Sequence, residues 1–163
     1  MDNQSKPNRI CIGSDHGGFS LKNTIVEHLK NMDIEVFDVG CFDTNSCDYP
    51  VIAKKVVKKV LNEKYYGILV CGTGIGMSIV ANRFDGIRAS HCTDTFSVRM
   101  TKMHNDSNIH AFCYYHALTL SYGFYSQFRT FILYLYMRSV NAKLITHTLH
   151  VPIRNSVVQS PSS

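Results

Sequence analysis

Short apolar segments alternate with amphipathic stretches along the first 113 residues of the chain. Each apolar segment ends in turn-forming or polar residues and predicts a strand; the five segments are residues 9–15, 34–40, 66–71, 87–92 and 108–113. Between them apolar residues recur at helical spacing, as Leu21, Ile25 and Leu29 do. This alternation predicts an α/β fold, a three-layer αβα sandwich whose parallel sheet has about five strands.

The second predicted helix carries a clear start signal. Asp48 is its expected N-cap and Pro50 suits its first turn. Val56, Val60 and Leu61 are expected to share its buried face. Four lysines lie largely opposite and indicate a solvated helix face rather than an anion-binding patch; they are Lys54, Lys55, Lys58 and Lys59.

Polar and glycine-rich segments follow the predicted strands. In parallel sheets, ligands bind beyond the carboxyl ends of the strands. The sequences SDHGG (14–18) and CGTGIG (71–76) follow the first and third strands, and a helix is expected after the second of them, through about Arg83. The sequence HND (104–106) follows the fourth helix, which Thr93 or Asp94 caps. We expect all three segments at or near this edge of the sheet.

The segment after the third strand combines a thiol with glycines at alternate positions, Gly72, Gly74 and Gly76. Glycines let the backbone approach a ligand, and successive N–H groups at a helix start bind a phosphate or a reaction oxyanion. A tight turn without a ligand explains the glycines equally well. Beside such amides the thiolate form of Cys71 is favoured, so Cys71 is a candidate base for removing a proton from carbon. The alternative is a small buried apolar residue.

Two imidazoles are further candidates for the chemistry. Asp15 and His16 lie beside the Cys71 loop if the first and third strands are neighbours; alternatively, Asp15 only caps the first helix. His104 is a candidate acid or base near neutral pH, or else a histidine that satisfies carbonyls at a helix end.

The chain divides into four predicted parts: a flexible N-terminus (1–8), the α/β domain (9–113), an atypical aromatic-rich segment (114–150) and a disordered tail (151–163). All 12 acidic residues lie at or before Asp106, whereas 10 of the 18 aromatic residues follow it. A surface without carboxylates over such a length is unusual. The segment is interpreted as a membrane-surface or partner-binding tail, or as the product of a shifted reading frame or retained intron. The second interpretation is favoured.

The net charge of +5 and the pI of about 8.9 suit an anionic small molecule. Nucleic acid is not expected as a partner, because no stripe of Lys and Arg interleaves with aromatic residues. No secretory signal and no apolar stretch long enough to span a bilayer are found. The six cysteines contain no C-x-x-C pair, which favours reduced thiols and a cytoplasmic location.

Five motifs occur together in this order: GSDHGGFSLK, DYP, GILVCGTGIGMSIVANR, GIRA and HNDSN. With them, the chain resembles ribose-5-phosphate isomerase B and the related galactose-6-phosphate isomerase subunits over about residues 9–110. The likeness ends just after Asn108. No arginine aligns with the segment by which this family grips the substrate phosphate, so none is assigned.

The resemblance implies a Rossmann-like aldose–ketose isomerase of the pentose phosphate pathway that needs no metal or other cofactor. It would interconvert ribose 5-phosphate and ribulose 5-phosphate through an enediolate. The resemblance implies that Cys71 is the base and that His104, with Asn105, opens the sugar ring. It further implies an oxyanion pocket formed by Gly72, Thr73, Gly74, Ile75 and Gly76. The implied contacts to sugar hydroxyls are made by Asp15, His16 and Tyr49. A homodimer or dimer of dimers with shared sites is implied, with His104 serving the partner's Cys71.

Three alternatives stay open at this point. In the first, the substrate is a galactose or allose 6-phosphate, since the motifs do not set pocket size. In the second, the chain is a non-catalytic module for sugar phosphates or nucleotides, impaired by its atypical C-terminus. In the third, it is a flavodoxin-like binding domain, which leaves the Cys71 loop and the HND sequence unexplained.

Overall fold

Five strands and four helices alternate along residues 9–115, which are the residues that the computed structural model describes. The strands are β1 (Arg9–Ser14), β2 (Glu35–Asp38), β3 (Tyr66–Cys71), β4 (Ala89–Cys92) and β5 (Ile109–Cys113). The helices are α1 (Phe19–Lys30), α2 (Tyr49–Glu63), α3 (Ile75–Ala81) and α4 (Thr95–Asn105). The predicted segments 1–8 and 151–163, and nearly all of 114–150, lie outside the described residues.

The strands form one parallel sheet in the order β2-β1-β3-β5-β4. Helices α1 and α4 pack on one face of the sheet, and α2 and α3 pack on the other. The chain therefore leaves β1 and β3 toward opposite faces, although these two strands are neighbours. Such a switch point opens a crevice at the carboxyl ends of the two strands. The expected αβα sandwich is confirmed, and its switch point lies where ligands bind in sheets of this kind.

The core has two halves, one on each face of the sheet. Val56 and Met77 are fully buried between α2, α3 and the sheet, as are Ile25 and Leu29 beneath α1. The expectation for Leu61 is wrong, because its side chain is 43% exposed. At 100° per residue it lies about 110° around the helix from the centre of the buried face, to which Val56 and Val60 belong.

Glycine permits the close approach of α2 to the sheet. A Cβ atom on Gly13 of β1 would lie 2.6 Å from Ile52 Cγ2, and one on Gly67 of β3 would lie 3.0 Å from Val56 Cγ1. A larger residue would push the helix outward and open the core. These contacts fix α2 over β1 and β3, and so fix where the first residue of α2, Tyr49, lies.

Several element ends differ from the sequence expectations for local reasons. Asp48 and Pro50 begin α2 as expected, but α3 ends at Ala81 and β4 begins only at Ala89. The Asn82 side chain exchanges two hydrogen bonds of 2.8 Å with the backbone of Ala89 and so shapes this turn. Asp94 caps α4 by accepting the Ser97 N–H, and this hydrogen bond lowers the pKa of Asp94.

The cysteines are not all reduced thiols. Cys41 and Cys47 form a disulfide in the connection between β2 and α2, so the expectation of a fully reduced set is wrong for this pair. Cys11 and Cys92 are buried thiols, and burial raises the pKa of each to about 12. Along residues 9–115, no helix combines the length and the apolar character needed to cross a membrane.

Candidate active site

Two loops meet at the crevice between β1 and β3. The backbone N–H of Asp15, just after β1, donates to the carbonyl of Val70 in β3 at 3.1 Å. A Cβ atom on Gly17 would lie 3.6 Å from the Gly72 nitrogen. The expectation that Asp15 and its neighbour His16 lie beside the Cys71 loop is therefore confirmed by the strand order.

The two side chains of this first loop differ in their surroundings. Asp15 is partly buried, and its Oδ1 accepts the Gly18 N–H at 2.8 Å, which holds the turn that leads into α1. The capping alternative thus describes one of its roles. His16 is exposed at the mouth of the crevice.

Cys71 ends β3 with its side chain on the α2–α3 face of the sheet and only 5% exposed. Its Sγ accepts the backbone N–H of Gly74 at 3.0 Å. Gly74 has a φ of +79°, in the left-handed region that glycine adopts without strain. A purely apolar role for Cys71 does not account for an amide directed at its sulfur, whereas a donated N–H stabilises a thiolate.

The rest of the glycine loop is covered by aromatic rings and by its own hydrogen bonds. Thr73 Oγ1 accepts the Ile75 N–H at 3.4 Å. The Tyr49 ring lies against Gly76, since a Cβ atom there would lie 3.0 Å from Tyr49 Cε2. The start of α2 therefore brings Tyr49 against the glycine loop.

The end of β5 borders the site as well, which the sequence analysis did not anticipate. Cys113 is the register partner of Cys71, and its Sγ donates to the Gly72 carbonyl at 3.1 Å. The Tyr115 N–H donates to the same carbonyl at 3.3 Å, and its ring lies over Gly72. Both residues come after the point where the family motifs end, so no motif indicated them.

His104 and Asn105 lie elsewhere. The Asp106 carboxylate that follows them accepts from the Arg88 side chain at 2.8 Å, and Arg88 directly precedes β4. The HND sequence therefore lies at the amino edge of the sheet, and its expected place near the carboxyl edge is wrong within one chain. The reason is topological: α4 leaves the carboxyl end of β4 and must run back to the start of β5.

A histidine that the sequence analysis did not single out contacts the Cys71 loop. His91 is exposed on the edge strand β4, and its Nε2 lies 2.8 Å from the Thr73 carbonyl oxygen. A Cβ atom on Gly74 would lie 2.7 Å from His91 Cδ2, so the ring packs directly on the loop. The available signal was its position, one residue before the carboxyl end of a strand. Among residues 9–115 no group of three or more His, Cys, Asp or Glu side chains is placed to hold a metal ion.

Comparison with known proteins gives a consistent result. The family model described as Ribose/Galactose Isomerase matches residues 10–122. Ribose-5-phosphate isomerase B of Escherichia coli is 46% identical over 105 residues, which cover 64% of this chain and 70% of that protein. D-erythrulose-4-phosphate isomerase of Pectobacterium atrosepticum is 39% identical over 102 residues, covering 61% and 67%. The structure of Clostridium thermocellum ribose-5-phosphate isomerase B superposes with a TM-score of 0.68 at 41% identity, covering 74% of this chain and 83% of that one.

Proposed function

Because this chain belongs to the ribose/galactose isomerase family, we propose that it interconverts ribose 5-phosphate and ribulose 5-phosphate, a reaction of the pentose phosphate pathway. Family membership carries the coarser statement, that the chain is a sugar-phosphate isomerase. Ribose 5-phosphate is the substrate we select, since the relatives from E. coli and C. thermocellum are named for it. The P. atrosepticum relative is named for a different phosphorylated sugar, so substrate choice needs its own test.

One observation carries the proposal: a backbone amide donates to the sulfur of Cys71 at the crevice between β1 and β3. The Gly74 N–H lies 3.0 Å from Sγ. This amide directs its N–H at the position where negative charge on the sulfur forms, whereas burial raises the pKa of the Cys11 and Cys92 thiols to about 12.

The proposed chemistry moves one proton and no other atom between carbons. The open-chain aldose places its C2–H at Sγ, and the thiolate of Cys71 takes that proton. The electron pair moves onto the C1 oxygen, which forms the enediolate. Backbone N–H groups of the loop from Gly72 to Gly76 stabilise the charge on this oxygen. A proton then passes from the C2 hydroxyl to the C1 oxygen as the thiol of Cys71 returns its own proton to C1, and ribulose 5-phosphate forms.

The other residues of the crevice are proposed to bind and orient the sugar. Thr73 and Ile75 complete the oxyanion loop, while Asp15, His16 and Tyr49 contact hydroxyl groups. Tyr49 suits this role because its ring lies on Gly76 while the residue is 40% exposed.

A second copy of the chain is proposed to complete the site. His104, with Asn105 beside it, would open the sugar ring, but both lie at the opposite edge of their own sheet. A homodimer, or a dimer of dimers, in which His104 reaches the partner's Cys71 resolves this separation. Apolar side chains exposed on α3 and α4 support an interface; they are Ile75, Ile79 and Phe96, each more than half exposed.

The test is isomerase activity of the full chain and of a Cys71→Ser variant. We expect ribulose 5-phosphate formation, with kcat reduced roughly 10²- to 10⁴-fold in the variant, because a general base contributes about that factor. Cys92→Ala, which removes a buried thiol from the core on the other face of the sheet, is the control and should retain most activity. Full activity in Cys71→Ser would show that another group is the base.

Two further measurements separate the alternatives. Relative kcat/KM for ribose 5-phosphate, erythrulose 4-phosphate, allose 6-phosphate and galactose 6-phosphate decides the substrate. Deuterium from solvent should enter C1 or C2 of the preferred sugar, as NMR would show. Binding of the sugar without any exchange would instead support a non-catalytic sugar-phosphate module.

A further inference from the structure

The peptide group between Thr73 and Gly74 is hydrogen-bonded at both of its polar ends. Its N–H, on Gly74, donates to Cys71 Sγ at 3.0 Å. Its carbonyl oxygen, on Thr73, lies 2.8 Å from His91 Nε2. Because a carbonyl only accepts, the His91 Nε2 carries the hydrogen of this bond. One planar peptide thus connects the His91 ring to the sulfur of Cys71.

The same histidine also restricts the loop by packing. A Cβ atom on Gly74 would lie 2.7 Å from His91 Cδ2 and 3.0 Å from the carbonyl carbon of Phe112 in β5. His91 is itself fixed on β4, where it is the register partner of Ala111. The Thr73–Gly74 peptide therefore rests against two paired strands, and its orientation depends on the ring that touches it.

We propose that His91 is a positioning residue for Cys71, which holds and polarises the Thr73–Gly74 peptide whose N–H stabilises negative charge on the sulfur. The argument is electrostatic. A donor at a carbonyl oxygen draws electron density from the peptide and makes its N–H a stronger donor, so hydrogen bonds in a chain reinforce one another. The hydrogen bonds from His91 to Cys71 are given by the geometry, whereas their effect on isomerisation rests on the proposed function of Cys71.

Removing the donor has a definite expected consequence. In His91→Leu the Thr73 carbonyl loses its hydrogen bond, and the peptide is free to rotate its N–H away from the sulfur. Negative charge on the sulfur then loses the N–H that faces it, so both alkylation and proton abstraction slow down. Because no sugar contact is assigned to His91, kcat should fall while KM for ribose 5-phosphate stays within about twofold.

The experiment measures the rate at which iodoacetamide alkylates Cys71 in the folded full chain at pH 7, by peptide mass spectrometry. His91→Leu should react roughly three- to tenfold more slowly than the parent, the factor that corresponds to one ordinary hydrogen bond. His91→Gln retains an N–H donor on a side chain of similar reach and should restore the rate to within about twofold of the parent. Ser90→Ala changes the neighbouring residue of β4, whose hydroxyl pairs with Thr101, and should leave the rate unchanged.

Two results would overturn the inference: alkylation of His91→Leu at the parental rate, or alkylation of His91→Gln as slow as that of His91→Leu. Thermal unfolding of each variant detects a general loss of folding. Such a loss would not slow alkylation of Cys71, and it would not be confined to one of the two variants. The test does not need a substrate. If the parent chain lacks isomerase activity, the proposed function fails, while the alkylation rates still decide the role of His91.

Discussion

Three cysteines on the same sheet show how local surroundings decide the chemistry of a residue. Cys11 and Cys92 are enclosed by apolar side chains, and burial raises the pKa of each to about 12. Cys71 is almost as buried, but an amide N–H points at its sulfur. The difference comes from the left-handed backbone of Gly74, which turns that amide back toward the strand end. This difference in surroundings is why we propose Cys71, and not Cys11 or Cys92, as the base.

His110 is a residue whose charge should govern the stability of the domain in mild acid. It is fully buried on β5, its Nε2 pairs with the Ser107 hydroxyl at 2.9 Å, and burial, with a smaller effect of the Lys102 charge, lowers its pKa to about 3. Between pH 6.5 and pH 3, His110 thus binds a proton in the unfolded chain but not in the folded chain. Stability is complete above about pH 6.5 and falls as the pH decreases.

We expect the free energy of unfolding to decrease by about 2 kcal/mol between pH 6.5 and pH 5 because of His110. Urea unfolding at these two pH values measures the loss, and His110→Gln, which keeps a partner for Ser107, should show little of it. Asp106→Asn is the control, since hydrogen bonding to Lys102 lowers the pKa of Asp106 and its contribution is lost only at lower pH. An equal decrease in parent and His110→Gln would contradict this prediction.

At the scale of elements, a buried ion pair joins α1 to β2. Lys22 donates to the Asp38 carboxylate, with side-chain exposures of 1% and 24%. Asp38 also accepts the Gly40 N–H at 3.0 Å, and the Gly40 carbonyl in turn accepts from the Ser14 N–H at the end of β1. The pair thus anchors the connection after β2 to the strand end that carries Asp15.

The two halves of this pair should not be equally costly to remove. Asp38→Asn leaves a fully buried ammonium without its carboxylate, which should cost about 3 kcal/mol of stability. Lys22→Met leaves a carboxylate that water and the Gly40 N–H still solvate, so its cost should be nearer 1 kcal/mol. Urea unfolding measures both. Glu63→Gln, which removes an exposed pair with Lys59, should cost under about 0.5 kcal/mol; a larger loss for Lys22→Met than for Asp38→Asn would refute the argument.

The ends of strands and helices were predicted correctly from the sequence where a local residue pattern determines them. The strand at 66–71 was predicted with its observed ends, because a buried parallel strand is a continuous apolar run. The end of α3 and the start of β4 were misplaced, because the hydrogen bonds between Asn82 and Ala89 follow from the folded turn and from no local pattern.

The candidate site divides in the same way. Asp15 and Cys71 were predicted together because both follow strands, and parallel strands bring their carboxyl ends to one edge. His91 was missed, because its contact with Thr73 depends on β4, β5 and β3 lying side by side. His104 was misplaced although the direction of α4 was predictable: a helix that follows a parallel strand returns to the opposite edge.

At the scale of the molecule, the separation of Cys71 and His104 leads to a sharp prediction about assembly. The two residues lie at opposite edges of one sheet, so a site that uses both needs two chains. In a symmetric dimer each chain then gives Cys71 to one site and His104 to the other. Cys71→Ser and His104→Ala homodimers should each be nearly inactive.

Mixing the two variants after reversible unfolding should restore activity. Random pairing makes about half of the dimers mixed, and each mixed dimer has one site with both defects and one intact site, so about a quarter of the parental activity should return. Refolding each variant alone is the control, and isomerase activity against mixing ratio is the measurement. The recovered activity should peak at equal amounts of the two chains. If mixed samples stay as inactive as their parents while size-exclusion chromatography shows dimers, His104 does not serve the partner's Cys71, and the sugar ring opens by another group.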